Sequence, residues 1–254
     1  SSAALEVVTA RVFAAVSHCS WDPVKMALLS QRAENRWVGV QCGIMDQLIS
    51  ACGRADHALL IDCRSLEFQH VPLPPTVRVV ILDTGTRRGL VDSAYNERRA
   101  ACEHTAERFR VKALRDISLD EFERRAVEMD ETTRKRVRHV ISENDRTLRA
   151  AEALRQGDVT TFGRLMVESH VSLRDDFEVS SPALDAMVEI ALSQPGCLGA
   201  RMTGAGFGGC AVALVEAETA ETFAQNVAEQ YRQKTKHEPA VYISRASDGA
   251  DIVA

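Results

Sequence analysis

The chain has 254 residues, 45% of them hydrophobic and 26% charged, with a formal net charge of −5. That length can bury a substantial core in one large domain or two ordinary ones, and the composition is that of a soluble globular protein. An acidic balance argues against a nucleic-acid partner, and no apolar run approaches the ~20 residues of a membrane-spanning helix.

The opening, "SSAALEVVTARVFAAVS", places Leu5, Val8, Val12 and Val16 at spacings of three and four, which predicts a helix with that face buried. A helix beginning at residue 1 without any lead-in suggests a fragment. "VKMALLSQRAENRW" predicts a second helix, and "MDQLISACG" a short third one stopped by Gly53. "HALLIDCRSLEFQHVPLP" reads as two strands around a turn at Arg64-Ser65. "VRVVILDTG" reads as a buried strand ended by Gly85.

A helix follows from Asp92 to about Phe109, with Asp92 or Ser93 as its N-cap. Residues 113 to 168 are helical and highly charged, and the charge reads as a solvated face. Ser181-Pro182 is a helix start, serine capping and proline at the first helical position. "GCLGARMTGAGFGGCAVALVE" is glycine-rich and turns into a strand. A helix over Ala220–Lys234 and a strand "AVYISRA" close the chain. Strands and helices alternate without a repeated βαβ period, so the fold class is α+β, with a boundary near Pro72–Pro75.

The seven cysteines form no C-x-x-C pair and the seven histidines no H-E-x-x-H spacing. Both facts speak against a zinc or dithiol site and for free thiols in a reducing cytoplasm. "GAGFGG" (204–209) matches G-x-G-x-x-G, yet it leads into a strand pattern where a dinucleotide fingerprint opens a helix. A tight structural turn and a phosphate-facing loop both remain open for it. In "GVQCGIMDQLIS" (39–50) a single carboxylate, Asp46, sits among Ile44, Met45, Leu48 and Ile49. It reads either as a helix N-cap or as a carboxylate working in an apolar surround. The pair Asp175 and Asp176 reads as turn-stabilising, and His170 as a satisfied polar residue.

Taken together, "SSAALEV", "GVQCGIMDQLIS", "SAYNERRAACE", "SHVSLRDDFEVSSPALD" and "GARMTGAGFGGCAVALV" resemble galactokinases in order and spacing. These belong to the GHMP superfamily of small-molecule kinases, with homoserine and mevalonate kinases. The resemblance implies a two-domain fold: a ribosomal-S5-like N-terminal domain, incomplete here, over residues 1–75, and a ferredoxin-like C-terminal domain over 76–254. ATP and sugar would meet in the cleft between them. It further implies that Ser1 and Ser2 end a phosphate-binding loop, and that Ser2 and Glu34 hold Mg²⁺. Asp46 would be the catalytic base, Gly43 and Tyr95 would line the galactose site, and Gly204 and Gly206 would close over the nucleotide phosphates. The implied reaction is ATP-dependent phosphorylation of D-galactose to galactose 1-phosphate by a cytoplasmic monomer with no nucleic-acid or membrane partner.

Plainer readings stand beside these roles: Glu34 as a surface carboxylate and Tyr95 as a packing residue. The family's N-terminal segment, with an arginine that partners the catalytic aspartate, is absent, which implies that the isolated chain is inactive or poorly folded. A kinase for N-acetylgalactosamine or another sugar, and a sugar and ATP sensor without turnover, are the alternatives within the same resemblance.

Overall fold

The structure, a computed structural model, describes residues 2–39, 42–86 and 91–253, and for 91–95 the backbone alone. The chain divides into two compact units, Ser1–Leu73 with Arg245–Ala254, and Pro74–Ser244.

The first unit holds α1 (Ser2–Val16), α2 (Pro23–Ala33), a π-helical turn (Glu34–Val38) and α3 (Met45–Cys52), followed by an antiparallel hairpin of β1 (His57–Ile61) and β2 (Phe68–Pro72). α2 starts where Asp22 accepts the Lys25 N–H at 3.0 Å and Pro23 takes the first helical position, where its missing N–H costs nothing. The hairpin turns at Asp62, whose carboxylate accepts the N–H groups of Arg64 and Ser65. Val7, Ala27, Ile44, Leu48, Ala51 and Cys52 form the core.

α1 differs from its sequence reading. Leu5, Val8, Val12 and Val16 are exposed, Leu5 and Val16 by 68%, and the buried positions are Ala3, Val7 and Ala14. The helix is apolar on more than one side, so its periodicity cannot say which side meets α2 and α3. Gly53 follows α3 but has a φ of −54° and is no left-handed cap. It is small because the C-terminal segment crosses it: a Cβ there would lie 2.8 Å from the Ile49 carbonyl and 3.2 Å from that of Ser247. That segment bonds back through Gly249 N–H to Gly53 O and Ala250 N–H to Ser50 O, so residues 245–254, assigned from sequence to the second domain, pack with the first unit.

The second unit is built on a four-stranded antiparallel sheet in the order β4-β5-β3-β6, with β3 (Val77–Asp83), β4 (Cys197–Met202), β5 (Cys210–Glu216) and β6 (Ala240–Ser244). Between β3 and β4 run α4 (Val91–Phe109), α5 (Leu119–Arg125), α6 (Glu131–Arg155), α7 (Val159–Asp175) and α8 (Pro182–Leu192), and α9 (Ala220–Thr235) joins β5 to β6. The β-α-β-β-α-β order is that of a ferredoxin-like domain with added helices. α4 begins at Val91, so Asp92 and Ser93 lie inside it and neither is its N-cap. Ser181 caps α8 as expected, accepting the Leu184 N–H at 3.3 Å.

α7 reaches β4 through two glycines. A Cβ on Gly163 would lie 2.0 Å from the Leu198 carbonyl oxygen, and one on Gly199 2.2 Å from that of Gly163. The charged helices are also less uniformly solvated than their sequence suggests. Arg138 pairs with Asp176 at 2.6 Å, and Glu143 receives Arg146, Arg201 and the Ser169 hydroxyl.

His139, on α6, is buried against Phe177, with ring centroids 4.6 Å apart. The Ser172 hydroxyl donates its proton to Asp176, so His139 Nδ1, 2.9 Å away, must donate to Ser172. Burial pulls the His139 pKa from 6.5 to about 4, against the opposing pull of Glu143. The unfolded chain therefore binds this proton first as pH falls. Stability from His139 is complete above pH 6.5 and declines towards pH 4 by up to about 3 kcal/mol. Urea melts of the wild type and of H139F should show that slope in the former and a shallower one in the latter; identical slopes would exclude His139 as its source.

Candidate functional site

In the first unit the loop before α3 is tied to α2 and the π-turn. Cys42 N–H donates to Asn35 Oδ1 at 3.2 Å, and Gln31 Nε2 donates to the Cys42 carbonyl at 3.1 Å. Gly43 follows in the open: its φ is not positive and an added Cβ would meet nothing within 4 Å. Neither backbone strain nor packing within this unit requires glycine there.

Asp46 stands in the first turn of α3, where an acidic side chain complements the helix dipole. It is exposed, as are its neighbours Met45 and Ile49, while Ile44, Gln47 and Leu48 point inward. Two sequence readings are thereby corrected. The N-cap position belongs to Ile44, and the Asp46 carboxylate stands at the surface beside the exposed Met45 and Ile49, while Ile44 and Leu48 turn inward, because a helix turns successive side chains by about 100°. Among the described residues no side chain pairs with Asp46.

Glu34 opens the π-turn, a distortion that π-bulges bring to functional positions. It is only 6% exposed, and its Oε2 is buried without a hydrogen-bond partner among the described residues. The reading of Glu34 as an ordinary surface carboxylate is therefore excluded. Gln47 Oε1 is buried and equally unpartnered, while its Nε2 lies 3.5 Å from Glu6 Oε2. Burial, then a hydrogen bond to Glu34, raises the Glu6 pKa above the ordinary carboxyl value. Neither Glu6 nor Gln47 stood out in the sequence, since a glutamate on a helix and an amide beside an aspartate look like surface residues. Ser2, one helical turn before Glu6, is exposed at the start of α1.

An orphaned, buried carboxylate oxygen fits a hard cation such as Mg²⁺, which takes oxygen donors and retains much of its water. Among the described residues no three His, Cys, Asp or Glu side chains gather into a metal cluster, so the protein would supply few ligands.

In the second unit the glycine loop joins β4 to β5. Residues 204 and 206–209 all have positive φ, Phe207 included at 60°. Gly206 is further constrained, because a Cβ would lie 2.1 Å from the Val179 carbonyl, whereas Gly204 has open space around it. The N–H groups of Phe207 and Gly209 bond to Val179 and Thr86. Those of Gly204 and Gly206 have no acceptor among the described residues. The sharp turn and the phosphate-facing loop thus coexist: 206–209 is braced and 204–206 offers free donors.

Of the other sequence-predicted residues, Tyr95 lies on α4 with its side chain outside the described residues, and Ser1 lies outside them altogether. The structure gathers Glu34, Gly43 and Asp46 around one loop of the first unit, with Ser2 on α1 of that unit; Tyr95, Gly204 and Gly206 belong to the second. His170 is buried, accepting the Met202 N–H at 3.3 Å, and is a structural residue. All seven cysteines are free thiols, and among the described residues no helix is long and apolar enough to cross a membrane.

Comparison with known proteins bears on the same residues. Family models for the GHMP kinases N terminal domain and the GHMP kinases C terminal region match residues 1–54 and 150–233, together more than half the chain. A galactokinase of Roseiflexus sp. (strain RS-1) is 52% identical over the whole chain, which spans 66% of that protein's length. The crystal structure of Lactococcus lactis galactokinase complexed with galactose matches with a TM-score of 0.92 at 36% identity, over 98% of this chain and 66% of that one. L. major mevalonate kinase shares the fold at a TM-score of 0.66 and 17% identity, over 98% of this chain and 66% of its own. Two family models at the two ends of one sequence, and relatives alike along all of it, leave one assignment: the chain belongs to the GHMP kinases.

Proposed function

We propose that the protein to which this chain belongs is a galactokinase, transferring the γ-phosphoryl group of ATP to the anomeric hydroxyl of D-galactose. One observation carries the reading above the others: the likeness to galactokinases, at 36–52% identity, runs along essentially the whole chain.

The roles follow from the side chains available. The sugar's O1 forms the new bond to phosphorus, the bond to the bridging oxygen of ADP breaks, and the hydroxyl proton passes to the Asp46 carboxylate. Phosphoryl transfer asks the protein chiefly for placement and charge stabilisation. An exposed aspartate with no competing partner among the described residues, three positions from a glycine that nothing in its own unit requires, suits such a base. Ser2 and Glu34 would hold Mg²⁺, which when bound neutralises phosphate oxygens. Tyr95 would line the sugar, and the open N–H groups of Gly204 and Gly206 would meet phosphate. Free thiols throughout suit a reducing cytoplasm.

The test is ADP release by the complete protein across a sugar panel. Turnover with galactose well above that with N-acetylgalactosamine is expected. Comparable rates on both would displace galactose as the substrate, and binding of sugar and ATP without turnover would replace the kinase by a sensor.

A further inference from the structure

Two recognisable segments, "SAYNERR" and "DDFEVSS", retain residues to which no chemistry has been given. They meet in the second unit. After α7, residues 176–181 form a short strap leading to the cap of α8. Arg138 holds its Asp176, His139 stacks on its Phe177, and Arg136 pairs with its Glu178 at 3.7 Å. Glu178 itself is left-handed, with a φ of 56°. The far end of the strap is the floor of the glycine loop. The Phe207 N–H donates to the Val179 carbonyl at 2.7 Å, the same oxygen that forbids a side chain at Gly206.

Arg98, on α4, touches both pieces. Its Nε donates to the Phe177 carbonyl at 2.8 Å and its Nη2 to the Glu178 carbonyl at 2.7 Å. Its guanidinium lies 5.0 Å over the Phe207 ring. The residue is only 6% exposed, and burial, reinforced by neighbouring Arg136, draws its pKa down. Burying a guanidinium against main-chain carbonyls is a costly way to stabilise a helix, and an apolar side chain would do that better. What an apolar side chain could not do is grip two successive carbonyls and an aromatic face with one planar fork.

We propose that Arg98 is a positioning residue for the phosphate side of the kinase site. It clamps the strap and the glycine loop together and ties both to α4, the helix that carries Tyr95 one turn earlier. The proposal rests on reading the glycine loop as facing nucleotide phosphates.

Two variants of the complete enzyme test it. Lysine at 98 keeps the charge but loses the fork, and leucine at 207 removes the ring while sparing both carbonyl bonds. KM for ATP should rise about tenfold in R98K and about threefold in F207L, with KM for galactose within about twofold of wild type. Amide exchange across 204–209 should quicken in both. A folded R98K with unchanged KM for ATP and unchanged exchange would overturn the proposal. Should R98K fail to fold, F207L decides alone, and an unchanged KM for ATP there overturns it equally. If exchange quickens and KM rises for galactose only, Arg98 still positions the loop, and the loop's assignment to the nucleotide falls.

Discussion

Replacing Asp46 by asparagine is expected to lower kcat for galactose phosphorylation by about 10³-fold in the complete protein, with galactose binding within a few-fold of wild type. Asparagine keeps the size and polarity of the side chain but cannot take up the proton of the attacking hydroxyl. Because Asp46 is exposed on the first turn of α3, while Ile44, Gln47 and Leu48 face inward, the exchange leaves the core of the first unit intact. The kinetic effect therefore reports chemistry and not folding. Single-turnover rates with sugar binding measured separately distinguish the cases. A kcat within threefold of wild type would remove Asp46 from the base role and leave it, at most, a residue that orients the sugar.

The largest effect on stability is expected at Gly163. In an exposed helix interior, glycine to alanine stabilises by about 1 kcal/mol, because alanine surrenders less backbone freedom. Here the sign reverses. The new Cβ would sit 2.0 Å from the Leu198 carbonyl oxygen, and backbone, unlike a side-chain tip, cannot swing aside. α7 would have to lift from β4, opening the packing under Leu165 and Met202, for a cost of about 3 kcal/mol. The denaturant midpoint of G163A should fall accordingly, with G199A behaving alike. A midpoint unchanged or raised would mean that helix and strand have slack at this crossing.

What could be read from sequence and what could not divides along the range of the interactions. The cap at Ser181 and the turn at Arg64-Ser65 are local chemistry, completed within three residues, and both were legible, though the carboxylate of Asp62 that closes the turn was not singled out. So was the failure of G-x-G-x-x-G as a dinucleotide motif, because the strand after it is an apolar run. The buried side of α1 was not legible, since Leu5, Val8, Val12 and Val16 compete with Ala3, Val7 and Ala14 and only the neighbouring helices decide. The burial of Glu34 depends on a π-turn that no spacing rule announces, and the exposure of Asp46 on the direction in which its helix turns. The contact of Gly163 with Gly199 joins backbones 36 positions apart, and Arg98 meets its carbonyl partners across 79 and 80 positions. Each of these residues was visible in sequence only as a type, a glycine or an arginine among several.

The return of the C-terminal segment gives the first unit an unusual place in time. Its helices precede the second unit in the chain, yet the hydrogen bonds that Gly53 and Ser50 accept, and the ion pair of Arg11 with Asp251 across 240 positions, require residues that follow it. The second unit, continuous from Pro74 to Ser244, has all its strands in hand before then. The first unit is thus completed only after the whole of the second has been synthesised: a nascent chain carries its candidate catalytic loop on a scaffold that stays open until residues 249–251 have emerged.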